Sequence, residues 1–160
     1  MLKAAIAFSE ASDLLAAAMQ DKRYLGFAYG VNAAFSVELY LKCLLTVEGS
    51  EEVPFTHNLK ELFQLLREES KGKLRESHND WVLEDSMMIE VRRHGRKTDL
   101  NSLLEEMQDI FVRFRYFYEG LPDVTRDCGF GLRIFADCLR NRILDLRPDW
   151  IADESTSPDR

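Results

Sequence analysis

Glu38 and Lys42 are the two charged residues in the run Tyr24–Val47, which is otherwise apolar on nearly every side, and they stand four positions apart. On a helix that spacing puts them one turn apart with the acid first, the favourable order for an ion pair, worth only a few tenths of a kcal/mol when solvated. Placement matters more than strength. Val31, Phe35, Leu41 and Leu45 recur around Glu38 at spacings that leave no wholly polar face, so the carboxylate is expected inside packed protein, where it needs a partner. The polar residues on offer are His57 and Asn58, then Arg113, Arg115, Tyr116 and Glu119. Arg115 is the expected partner, because a guanidinium satisfies a carboxylate with two parallel hydrogen bonds and an ammonium cannot. The first reading of this set is a buried cluster that fixes helix register. The second is a ligand site built from Glu38, Lys42, His57, Asn58, Arg113, Arg115 and Tyr116, with Lys42, His57, Arg113 and Arg115 lining a phosphate or nucleotide pocket. If the chain is an enzyme, His57 and Arg115 are the catalytic candidates.

Each of these residues also has a plainer role. Thr56-His57-Asn58 reads as capping chemistry at a helix entrance, which accounts for His57 without catalysis. Arg92, Arg93, His94, Arg96 and Lys97, with Gly95 allowing a turn, form the densest basic patch, yet a short charge run in acidic surroundings is more often a solvated loop than a phosphate contact. The aromatic run Phe111–Tyr118 can stack on bases, but at helical spacing Phe111, Phe114 and Phe117 belong to the core, leaving Tyr116 as the surface candidate. The three histidines are far apart and form no pair on one helix face, so neither a metal site nor a cofactor is expected.

The elements that must position these side chains are helical. Leu2 to about Met19 makes a first helix with Ala5, Phe8, Ser12, Leu15 and Met19 on one stripe. Gln20 to Arg23 connects it to the long second helix, which stops at Glu48-Gly49-Ser50, giving an αα-hairpin. After the loop Ser50 to Phe55, where Pro54 excludes helix, a third helix starts at Thr56-His57-Asn58 with Leu59, Leu62, Phe63 and Leu66 as its apolar face. The stretch 71–97 takes no firm assignment: 73–80 is polar, and Trp81–Val91 fits either a short helix or a covering loop. A fourth helix is capped by Thr98 or Asp99 and runs through Leu103, Met107, Ile110, Phe111, Phe114 and Phe117 to Gly120-Leu121-Pro122. The last spans roughly Gly129 to Leu146, with Leu132, Phe135, Ala136, Leu139 and Ile143 buried. The sum is an all-α, up-and-down helical bundle of about five helices.

At 160 residues the chain fits a single domain, placed at 1–148, followed by a small, polar, flexible tail at 149–160. A formal net charge of −7 argues against a surface that is everywhere an electrostatic trap for nucleic acid. Three cysteines without a CxxC point to reduced thiols in the cytoplasm. The opening MLKAAIAF is cut short by Ser9, Glu10, Ser12 and Asp13 before it reaches the length of a signal peptide, and no segment has the uninterrupted apolar length of a membrane span.

Three segments in this order resemble the HEPN domain family: NAAFSVELYLKCLL from Asn32 to Leu45, THNLKELFQLL from Thr56 to Leu66, and RFRYFYE from Arg113 to Glu119. The resemblance spans most of Leu2 to Leu146 and implies a HEPN-like helical bundle, a homodimer, and the company of RNA-cleaving toxins, antiphage systems and nucleotide-associated proteins. Catalytic members carry an Arg followed after four to six residues by a His. No His in this chain follows an Arg at that distance, and counting forward from Arg133 meets Cys138, Leu139 and Arg140. The expected function is therefore a non-catalytic bundle that binds a protein partner, encoded nearby, or a nucleotide or RNA ligand, in a defence or toxin–antitoxin setting. The alternatives are a metal-independent RNase with a non-standard residue set, such as His57 with Arg113 or Arg115, and a structural homodimerisation module.

Overall fold

A computed structural model describes residues 1–19, 21–110 and 126–150, with Arg23 and residues 126–130 described by their backbone alone. Among these residues the fold is all-helical: α1 (Leu2–Ala18), α2 (Gly26–Val47), α3 (Leu59–Gln64), α4 (Glu68–Glu84), α5 (Ser86–Arg93), α6 (Leu100–Met107) and α7 (Arg126–Leu146), with 3-10 turns at Arg23–Leu25 and Pro148–Trp150.

α2 forms the centre because it is apolar around its whole circumference and can be covered on every side. α1 packs along it as the expected hairpin, and α7 closes the other flank. The α1 stripe is as expected, with Ala5, Ser12 and Met19 buried and Phe8 edge-on to Phe35 at 4.6 Å. Leu132, Phe135, Ala136, Leu139 and Ile143 of α7 are all buried against it. By length and composition α2 does qualify to cross a membrane, against the expectation that no segment would, but most of that window lies inside the bundle. Gly49 ends α2 in the left-handed region at φ 90°, so that Ser50 N donates to the Leu45 carbonyl and Gly49 N to that of Thr46, satisfying the last carbonyls.

Four boundaries differ from the sequence reading. The polar stretch 73–80 belongs to α4, a full helix whose buried stripe, Ser70, Leu74, His78 and Val82, is half polar and so carries a weak hydrophobic signal. Trp81–Val91 divides between α4 and α5 at Asp85, whose carboxylate accepts from Met87 N and Met88 N and starts a new helix. These two helices bring the total among the described residues to seven instead of five. The fourth expected helix does start at the Asp99 cap but ends at Met107, and a turn follows at Gln108–Asp109, where the Gln108 carbonyl accepts from Leu59 N. Its expected continuation through Phe117 lies outside the described residues. Finally, a 3-10 turn runs past 148: Arg147 pairs with Asp149 and lies over the Trp150 ring at 4.5 Å, and the rest of the expected tail, 151–160, lies outside the described residues.

Candidate functional site

The junction of α2 and α3 gathers the polar residues singled out in the sequence. Glu38 is carried into the core by α2, and its side chain is only 2% exposed. Lys42, one turn on, donates to Glu38 Oε1 at 2.7 Å with its own side chain 15% exposed. His57 reaches in from the loop before α3, its Nδ1 standing 3.0 Å from both carboxylate oxygens. An ionised carboxylate only accepts, so Nδ1 is the protonated nitrogen and the imidazole is held in that tautomer. Glu38 thus faces two donors from opposite sides of the junction, one on its own helix and one that ties the following segment to it.

The local chain explains how His57 gets there. Asn58, not His57, is the helix cap, its side-chain oxygen accepting from Glu61 N at 2.9 Å. Thr56 Oγ1 accepts from Asn58 N at 3.1 Å and donates to the Glu61 carboxylate at 2.9 Å, closing a tight turn with His57 between them. The expectation that His57 serves as a capping residue is corrected accordingly: its ring turns to the α2 carboxylate and remains 45% exposed. Asn58 also donates to Asp109 at 3.3 Å, and Lys60 pairs with Glu105, which pins α3 to α6.

Arg113, Arg115 and Tyr116 lie outside the described residues, and with them the expected Arg115–Glu38 pair. The junction brings together Glu38, Lys42, His57 and Asn58. The basic turn is largely absorbed by the fold: Arg92 donates to the Val82 and Leu83 carbonyls, Arg93 and His94 face Glu90, and Arg96 pairs with Glu106 at 2.5 Å. Its cations therefore hold α4, α5 and α6 together, which reduces the field available for phosphates. Beside it a cavity of about 30 Å³ opens between Val91, Arg96, Lys97, Thr98 and Leu103, room for small solvent molecules only. Cys43 and Cys138 are free and buried, and burial pushes both thiols up, away from the reactive thiolate.

Two buried polar positions were not legible in the sequence. Arg142 of α7 donates from Nε to Ser70 Oγ at 2.9 Å and from Nη2 to Glu69 at 3.1 Å, pinning the start of α4. A bundle-facing Arg on an otherwise apolar stripe was its only signal. His78 of α4 is fully buried, edge-on to Phe135, and neither ring nitrogen meets a hydrogen-bond partner of ordinary geometry among the described residues. Burial pushes its pKa down to about 4, against the opposing pull of Asn79, the Gly131 backbone and Asp99.

No family model, no curated protein and no solved structure matches the chain, so function must be argued from the junction itself.

Proposed function

We propose that the chain is a HEPN-like bundle that works by binding and not by turnover, meeting a nucleotide or RNA ligand, or a protein partner, at the α2–α3 junction, in a defence or toxin–antitoxin setting. One observation carries this: the half-exposed His57 imidazole, fixed in a single tautomer by the buried Glu38 carboxylate that Lys42 also contacts. A ring oriented in this way keeps its exposed edge at a constant position, which lowers the ordering cost of recognition. Because Glu38 already offsets the Lys42 charge, a phosphate would be met chiefly by the His57 edge, with modest affinity and clear salt dependence. Isothermal titration with mononucleotides and short single-stranded RNA tests the nucleic-acid form. Binding that His57→Ala abolishes is expected, whereas equal binding by both proteins removes the junction from recognition. Where neither ligand gives heat, capture of a partner by the wild type that His57→Ala also captures would do the same for the protein form.

The same geometry favours a second reading, a metal-independent RNase. A carboxylate on Nδ1–H is the arrangement that holds a general base in its working tautomer and stabilises the imidazolium that forms. Incubation with total RNA beside a His57→Ala control separates the two: cleavage lost only in the variant supports turnover, and no cleavage leaves the binding role.

A further inference from the structure

We infer that α4 and α5 form an acid-released arm: protonation of His78 detaches the segment 68–93 from α6 and α7 while the α1–α2 hairpin stays closed. The inward stripe of α4, Ser70, Leu74, His78 and Val82, is half polar. α5 adds the buried Met88 and Val91, and the remaining ties of the arm to α6 and α7 are polar: Ser70 and Glu69 to Arg142, Ser77 Oγ to Cys138 Sγ at 3.4 Å, Asn79 to Leu100 N at 3.2 Å, and Arg75 to Asn101 at 3.2 Å. α5 travels with α4, because Arg92 holds the Val82 and Leu83 carbonyls across the Asp85 joint. α1 and α2, by contrast, are joined by apolar packing, in which Ala5, Ala33, Ala34 and Val37 are all buried.

The surroundings of His78 stabilise an added proton less than burial penalises it. Among the described residues, α7 presents Gly131 and the Phe135 ring edge, with the Cys138 thiol a turn further on against Ser77. From α6 comes Asp99, whose carboxylate is already taken by the backbone and hydroxyl of Ser102. On α4 itself Asn79 faces Leu100 N, and Arg75 is a cation one turn away. A charged imidazole here is desolvated, with only Asn79, the Gly131 backbone and Asp99 to offset the cost, and the open arm, where water reaches it, takes the proton instead. The sign follows: the closed state binds the proton below about pH 4 and the open state near the ordinary 6.5, so opening is favoured as pH falls through that interval and levels off below it.

Hydrogen exchange at pH 7 and pH 5, corrected for the intrinsic rate change, tests this on the whole chain. In the wild type the opening constant of α4 and α5 amides is expected to rise roughly twenty-fold between the two pH values and to exceed that of α2 amides at both. In His78→Leu and His78→Gln, which cannot take the proton, the rise should vanish. Protection in α4 that ignores pH overturns the inference, as does an equal rise in either variant. α4 and α5 amides that exchange with the same opening constant as α2 amides at pH 5 would also overturn it, by showing that acid unfolds the bundle as a whole.

Discussion

Glu38 and His78 are both ionisable side chains buried on helices that pack against α7, yet their surroundings are opposite. Glu38 sits on a helix with apolar neighbours all around and meets two donors, Lys42 and His57, so its charge is compensated inside the core. His78 sits on a helix that is polar over most of its surface and, among the described residues, meets no partner of ordinary hydrogen-bond geometry, so burial keeps it neutral. A buried charge kept ionised fastens two segments together. A buried group kept neutral only by exclusion of water makes its seam conditional on pH.

The comparison can be broken at either end. The largest effect is expected from Glu38→Ala, which leaves Lys42 and His57 facing each other without the carboxylate between them: about 3 kcal/mol of urea-measured stability should be lost, and unchanged stability would remove Glu38 from the architecture. Next comes acid. The folded pKa of His78 lies below the unfolded one, so wild-type stability should fall by about 2 kcal/mol from pH 7 to pH 5. At pH 7 His78→Leu, which removes an unsatisfied group while keeping an apolar body, should stay within about 1 kcal/mol of wild type. A loss as large as that of Glu38→Ala would show that the two sites are alike after all. Asn58→Ala, which removes the α3 cap and the Asp109 contact, should cost about 1 kcal/mol by thermal denaturation. Lys60→Ala, at a half-exposed surface pair, should cost less than about 0.5 kcal/mol, and a greater loss would mean that α3 is held to α6 more than to α2.

What was legible in the sequence follows the same division. The long helices with continuous apolar stripes, α1, α2 and α7, could be drawn from spacing alone, as could the Gly49 end and the burial of Glu38, while the start of α6 was left between Thr98 and Asp99. α4 could not, because its stripe spends Ser70 and His78 where Leu or Val would have announced it. The α4–α5 division depends on one residue, Asp85, that caps a helix immediately after ending another. Of the candidate site, the pairing of Glu38 with Lys42 was readable from a four-residue spacing. The approach of His57 was not, since it comes from nineteen positions away through a turn whose geometry depends on Thr56, Asn58 and Glu61 together.

The most direct test of the junction is the tautomer of the His57 ring, read from long-range nitrogen–proton correlations in labelled protein at a pH well above the ordinary histidine range. A free imidazole favours the proton on Nε2, whereas a carboxylate at 3.0 Å from Nδ1 holds it on Nδ1. The Nδ1–H form in the wild type, reverting to Nε2–H in Glu38→Gln, is the predicted result. An Nε2–H ring in the wild type, or a tautomer that ignores the Glu38 substitution, would contradict the buried clamp on which the proposed binding role rests.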